Sequence, residues 1–317
     1  MPLDQAPTTD CHTHVGVDAS FYLAGWLPYA ANAHDLLVHM ADAGIDRAVC
    51  FPCPTPSAFD PWAFAERREL RRLPGKVPYA KENSVLISEL AKVDIERQLL
   101  PFAMFDPGRD VEAQVKHLET LTDDLKGLKS QPSLLHSPVR SLLGPSKVLL
   151  EFAAEHDLPV VLHTSIAPED AWSQTFDCLE VASVHPRVRF SLAHSLRFHL
   201  PSLHLAAQLE NVWVDCSAHI LHCELAAANS PVVAVATERP DVDYTNPAEV
   251  LTAVNDLLDG KYLWGSDSPY QSWSDDDFSS IHRYSDEAAV LGQIADQVRD
   301  SMLRTGPHQW LSGLPAT

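Results

Sequence analysis

The sequence predicts an α/β fold of the (β/α)8 TIM-barrel type, with long loops on the active face after strands 1, 2 and 7. Three observations carry this reading. Eight short apolar or β-branched runs alternate with amphipathic stretches, the rhythm of repeated βα units around a parallel sheet. The first run is not followed by the Gly-rich phosphate turn that a doubly wound nucleotide-binding sheet usually carries. No low-complexity linker, charge block or composition break divides the chain, so residues 1–317 read as a single barrel domain, although the length also allows two.

Taken in order, the expected strands are Thr8–His14, Arg47–Pro52, Leu99–Phe105, Leu125–Ser130, Pro159–His163, Val188–His194, Val212–Asp215 and Tyr262–Asp267. Helices are expected over Asp35–Ala43, Ser84–Arg97, Phe176–Val184, Ser202–Glu210 and Glu249–Leu258. Two more follow Asp110 and Ser146, read as N-caps, with Val111, Val115, Leu118 and Leu121 on one stripe and Val148, Leu149, Phe152 and Ala153 on the other. Three long connections, Val15–Ala33, Pro54–Asn83 and Ala218–Asn246, leave the C-terminal ends of strands, where barrel enzymes build their sites. The first two carry Phe21, Tyr22, Trp26, Tyr29, Phe59, Trp62 and Phe64, which either seal the rim or a subunit interface or line an apolar substrate pocket.

Composition narrows the function. Twenty-three basic against 43 acidic side chains leave a net charge of −20, which repels phosphate backbones and anionic lipid, so neither nucleic acid nor membrane is an expected partner. The N-terminal residues lack the basic and apolar regions of an export signal, and no apolar run approaches the roughly 18 residues of a spanning helix. Six sparse cysteines suit free thiols in a reducing cytoplasm. Exposed aromatics on the long loops are compatible with a homodimer.

The chemistry sits at strand ends. Strand one ends in Cys11-His12-Thr13-His14, strand five in His163, strand six in His194, and strand eight in Gly265-Ser266-Asp267. Residues two apart on a strand point to the same side, so His12 and His14 can share one ion. Imidazoles with a carboxylate suit zinc first, with iron or manganese as alternatives.

With these residues the sequence resembles the amidohydrolase superfamily, and more narrowly its amidohydrolase-2 branch, which also contains zinc-dependent decarboxylases. The resemblance runs from Asp10 to about Tyr270 and rests on Asp10-Cys-His-Thr-His14, Gly127-Leu-Lys129, Val161-Leu-His163, Leu192-Ala-His194 and Gly265-Ser-Asp-Ser-Pro269. It implies one divalent metal held by His12, His14, His163 and Asp267, with a bound water and with Asp267 and His194 as the catalytic proton carriers. Lys129 is either a pocket cation or a carboxylated bridge to a second metal, the latter the less favoured. Arg197 either clamps a substrate carboxylate or is a solvated loop cation, and Trp26 and Tyr270 are further candidates for substrate contact. The chain departs from the branch in Ser195-Leu-Arg-Phe-His199 after strand six, where relatives carry small or glycine-containing segments, and in Arg304-Thr-Gly-Pro-His308-Gln-Trp310 near the C-terminus.

Other motifs read as structural. Cys50 and Cys53 have half a zinc-knuckle spacing, but Cys216 and Cys223 do not complete it, so all four read as buried thiols. His219 and His222 read as surface-loop residues, Ser195 lacks a nucleophile-elbow frame, and Asp275–Asp277 read as a solvated rim. The leading expectation is a metal-dependent hydrolase of a small amide, lactone, ester or related substrate. The alternatives are a non-oxidative decarboxylase of an aromatic or unsaturated acid, and a barrel that binds without turnover.

Overall fold

The computed structural model of the protein describes residues 6–313. Eight parallel strands form the barrel wall: β1 (Thr9–Val17), β2 (Arg47–Pro52), β3 (Leu99–Phe105), β4 (Gly127–Ser130), β5 (Val160–Leu162), β6 (Phe190–Leu192), β7 (Val212–Asp215) and β8 (Tyr262–Leu263). Each pairs with the next in chain order, and the two-residue strand Ala30–Ala31 adds antiparallel to the outer end of β1. The sheet closes on itself through Cys11 N–H to the Trp264 carbonyl at 2.9 Å, Asp267 N–H to His12 at 2.8 Å and His14 N–H to Ser268 at 2.6 Å. All eight expected strands are present, although β8 is regular for only two residues and its expected end at Asp267 has left-handed backbone, φ 61°.

Strands buried on both faces read as continuous apolar runs, and Val160-Val161-Leu162 and Phe190-Ser191-Leu192 are fully enclosed. One core lies between sheet and helices, including Leu128, Leu149, Val160, Leu179, Leu192 and Val254. A second fills the barrel with Cys11, Phe51, Phe102, Val161, Trp213 and Leu263, and Trp310 of the helix Gly306–Ser312 packs among them. The Trp310 ring centroid lies 5.6 Å from that of Phe102. Gly127 is needed where it stands, because a Cβ there would lie 2.1 Å from the Phe102 ring.

Helix boundaries differ from expectation for local reasons. The helix expected over Ser84–Arg97 runs Ala80–Val93, and that over Ser202–Glu210 runs Leu200–Gln208 with proline in its first turn, where the missing N–H costs nothing. Asp110 and Ser146 do not cap their helices: the Asp110 carboxylate pairs with Arg72, and the Ser146 hydroxyl donates to the Pro107 carbonyl. Asp18 is a true N-cap. Its carboxylate accepts from Phe21 N–H at 3.0 Å and from Thr55 N–H at 3.2 Å, tying the first long connection to the second.

The rim also contains a segment that sequence reasoning missed, a hairpin of Trp273–Ser274 with Ser279–Ser280 whose tip is Asp275–Asp277. Asp275 turns that tip by accepting from the Trp273 indole and from the backbone of Asp277 and Phe278. Among the described residues, no helix is long and apolar enough to cross a membrane.

Candidate metal centre and its polar network

The parallel β1/β2 register shifts between Asp10 and Thr13, an irregularity that spans Cys11 and His12. Asp10, buried two residues before His12, accepts from His12 N–H at 3.1 Å and Ser266 N–H at 3.0 Å, so it clips β1 to the segment after β8. Burial pushes its carboxyl up to about 6.

His12, His14 and Asp267 converge at the barrel mouth. One ligating atom from each lies within 4.8 Å of the others, with Asp267 Oδ1 3.4 Å from His12 Nε2 and 3.6 Å from His14 Nε2. Both imidazoles are oriented from behind. His12 Nδ1 lies 3.2 Å from Asp215 Oδ2 and His14 Nδ1 lies 2.8 Å from the Pro52 carbonyl. Each Nδ1 therefore carries the hydrogen, and each Nε2 keeps its lone pair toward Asp267, the tautomer a metal ligand needs. Burial, then the nearby Lys129 charge, lowers His12 to about 4, and burial with His12 and Lys129 lowers His14 well below the ordinary imidazole range.

Lys129, at the third position of β4, is fully buried, and its ammonium lies 3.2 Å from His12 Nε2. Burial pushes Lys129 down and Asp267 up, while their mutual attraction acts in the opposite sense on both.

The other strand ends form a second group. His163 is not drawn into the cluster of three: its Nδ1 lies 2.9 Å from His194 Nε2 and its Nε2 lies 3.1 Å from the Arg197 guanidinium. Asp267 Oδ2 stands 3.8 Å from His194 Nδ1, which bridges the two groups. Hydrogen positions follow from Arg197, which can only donate. His163 Nε2 must accept, so its Nδ1 donates to His194 Nε2, and His194 Nδ1 donates in turn to Ser217 Oγ at 2.9 Å. Ser217 then donates to Asp215 Oδ1 at 2.6 Å. Burial, followed by the Arg197 charge, keeps His163, His194 and His222 well below the usual imidazole range.

Asp215 is where this chain and the His12 contact meet. It is fully buried and accepts from His12, from Ser191 Oγ at 2.9 Å, from Ser217 Oγ, and from the backbone of Ser217 at 3.2 Å and His194 at 3.3 Å. Burial alone would raise it, but His12, Lys129 and these donors hold it well below the ordinary carboxylate range. Sequence reasoning took Asp215 only as the end of a strand. The available signal was an acid at the C-terminal end of the seventh strand, the same position class as the histidines.

His222 and His219 correct the sequence reading. Neither lies on a surface loop: the connection after β7 folds into the helix His219–Ala227, which buries both. His222 Nε2 accepts from Arg197, and its ring centroid lies 5.0 Å from that of His194. The spacing of His219, His222, Cys223 and Ala226 is a helical stripe, and that was the signal available. Arg197 is likewise buried rather than solvated, at 7% exposure.

Tyr270 lies edge-on to His14, with centroids 5.0 Å apart, and joins Phe21 and Phe64 in a rim cluster. Trp26 packs on Phe21 and Phe64 with the Arg68 guanidinium 4.2 Å over its ring. Tyr22 and Trp62 are exposed. All six cysteines are free and buried, and Ser195 Oγ is engaged by the Tyr262 hydroxyl at 2.6 Å.

A family model described as Amidohydrolase (Amidohydro_2) matches residues 9–311, and the chain belongs to this amidohydrolase family, whose members are metal-dependent hydrolases and decarboxylases. A search of curated proteins gave no match. Among solved structures, the chain is similar to an amidohydrolase from Burkholderia multivorans with 13% identity and a TM-score of 0.62, covering 98% of this chain and 100% of that one. It is similar to 2,6-dihydroxybenzoate decarboxylase from Rhizobium with 14% identity and a TM-score of 0.60, over 97% and 99% of the two chains. It also resembles 5-carboxyvanillate decarboxylase from Novosphingobium aromaticivorans, solved with manganese and a nitrobenzoic acid, with 11% identity and a TM-score of 0.62, over 97% and 96%. The Burkholderia protein has also been solved with bound zinc. At these identities the likeness is one of fold.

Proposed function

We propose that the protein is a metal-dependent hydrolase of a small organic molecule, cleaving an amide, lactone, ester or related bond. The observation that carries this is the convergence of His12 Nε2, His14 Nε2 and the Asp267 carboxylate, with both imidazole tautomers set from behind by Asp215 and Pro52. Two neutral imidazoles and a carboxylate match the donor preferences of zinc, with manganese and iron as alternatives. His163 would join them once its Nε2 is released from Arg197. When bound, the ion supplies Lewis-acid polarisation of the scissile group and lowers the pKa of water to about 7.

The rest falls to the chain. Asp267 takes the proton at its carboxylate, and His194 Nδ1, which already holds a hydrogen 3.8 Å from Asp267 Oδ2, can give that hydrogen to the leaving group and then be refilled from Asp267. Tyr270 walls the mouth beside His14, with Trp26 in the aromatic cluster behind it, and Lys129 places a positive charge beside His12 Nε2. A second reading is non-oxidative decarboxylation, the reaction named for two of the similar structures.

Metal analysis of the purified protein tests the site. About one equivalent of a divalent metal is expected in the wild type and little in His12→Ala. Less than about half an equivalent, unchanged by that substitution, overturns the proposal. Ester and lactone hydrolysis followed beside carbon dioxide release from aromatic acids separates the two reactions.

A further inference from the structure

Arg197 is a buried cation without a counter-ion. No carboxylate oxygen among the described residues lies within 4.0 Å of it, whereas the half-buried Arg109 and Arg189 each pair with an aspartate, Asp106 at 2.8 Å and Asp157 at 2.5 Å. Its Nε donates to the Thr164 carbonyl at 2.8 Å, one terminal nitrogen to His163 Nε2 at 3.1 Å and the other to His222 Nε2. All three acceptors are neutral. A guanidinium has five N–H groups, so one remains on each terminal nitrogen. Burial pushes Arg197 down only to about 10, and it stays charged at neutral pH. Leaving such a charge buried and unpaired is costly unless an anion arrives to meet it.

The backbone around it is built at a cost as well. His194, Ser195, Leu196, Arg197 and Phe198 all have left-handed dihedrals, with φ between 48° and 61°, and none is glycine. Left-handed helical backbone costs roughly 1–2 kcal/mol for each such residue. The turn is held by the fully buried Leu196 and Phe198, by Ser195 on Tyr262, and by the Ala234 N–H on the Arg197 carbonyl at 2.9 Å. Strained backbone kept at a strand end beside a candidate metal centre marks a group fixed in advance for a ligand.

We propose that Arg197, buttressed by His222 and the Thr164 carbonyl, is a subsite for a substrate carboxylate, and that this carboxylate is a handle retained in the product. The proposal rests on the hydrolase reading and names its substrate class: small esters, lactones or amides that also bear a carboxylate. The planar guanidinium matches a planar carboxylate. The handle cannot be the group lost in a decarboxylation. That reaction breaks the bond between the carboxylate and the adjacent carbon, leaves the bonding pair on that carbon and turns the carboxylate's charge into the second C=O of neutral carbon dioxide, so a cation fixed on the carboxylate stabilises the ground state more than the transition state.

Benzoate and benzamide, nearly equal in shape and different in charge, are the probes, titrated into wild-type protein and Arg197→Met by calorimetry. Wild type is expected to prefer benzoate by about tenfold or more, and Arg197→Met to lose the preference. Equal affinity of wild type for the two probes overturns the proposal. Retention of the preference by Arg197→Met also overturns it, by assigning the anion to another group. If Arg197→Met fails to fold, Arg197→Gln carries the same comparison, because Lys129 and a bound metal ion could also give wild type a preference for benzoate. Carboxylate-bearing esters and lactones assayed alongside report on the reaction separately. A benzoate preference without hydrolysis removes the hydrolase reading and leaves the subsite, whereas hydrolysis without the preference removes the subsite and leaves the reaction.

Discussion

Asp215→Asn is the most informative single change, because it keeps the shape of a side chain that accepts five hydrogen bonds and removes its capacity to accept them all. An amide has one oxygen and one NH2. Placing the NH2 at the Oδ1 position would face the N–H groups of His194 and Ser217, which cannot reverse, so the oxygen must go there. The NH2 then meets His12 Nδ1 and Ser191 Oγ. A hydroxyl can rotate to accept, but His12 must move its hydrogen to Nε2, where it faces both Lys129 and Asp267. The Nε2 lone pair is lost to the candidate metal centre. Substituting a group that orients a metal-bound histidine typically weakens metal binding 10- to 100-fold, or about 1.4–2.7 kcal/mol. The unfolding free energy should fall by a further ~1–3 kcal/mol for the displaced buried partners. Chelator competition measures the first quantity and denaturant unfolding the second. A variant that binds metal within about threefold of wild type would refute the argument, whatever its stability.

Three other changes follow from the same geometry. Gly265→Ala places a Cβ 2.7 Å from the His12 Cβ, so the β1 backbone must shift; the expected result is weaker metal binding and a loss of ~1–3 kcal/mol in stability, and unchanged chelator competition would contradict it. His194→Ala should retain its metal and lose about 10²- to 10⁴-fold in turnover, so loss of metal would move His194 into the ligand set. Asp18 is buried, and burial raises its carboxyl from 3.8 to about 6. The folded state therefore binds a proton that the unfolded state has released between those values, and its stabilising contribution is complete below pH 4 and lost as pH rises through 6. Asp18→Asn removes this dependence, so its stability relative to wild type should rise by ~2 kcal/mol from pH 4 to pH 7, and a difference constant in pH would refute the assignment.

The barrel was legible because its signal is local and repeated. Each strand is a short apolar run between amphipathic helices, and the His12/His14 pair and Asp267 stand at ends fixed by that rhythm. What escaped was decided by tertiary context. Asp110 looks like an N-cap until Arg72, 38 residues away, takes its carboxylate. His222 looks exposed until the connection after β7 folds as a helix and turns its histidine stripe onto Arg197. Asp215 carries no motif of its own. Its importance comes from Ser191, His194, Ser217 and His12, which only the closed barrel brings together. The left-handed run after β6 could not be foreseen either, since Ser195-Leu-Arg-Phe contains none of the residues that favour that conformation.

These contacts also reconcile the charge of the chain with the substrate class proposed for it. A body of net charge −20 disfavours anions at long range, a field that salt screens over about 10 Å. The site reverses that sign at short range by burying Lys129 and Arg197 near its candidate ligands. Buried charges are screened far less, so a carboxylate that reaches the mouth meets attraction stronger than the repulsion it crossed. The two cations act at different places. Lys129 sits on His12, while Arg197 stands across His163 and His222 with two N–H groups unspent. A small substrate with an anionic group at one end and a polar scissile bond at the other satisfies both, and a substrate lacking the anion leaves Arg197 buried and uncompensated.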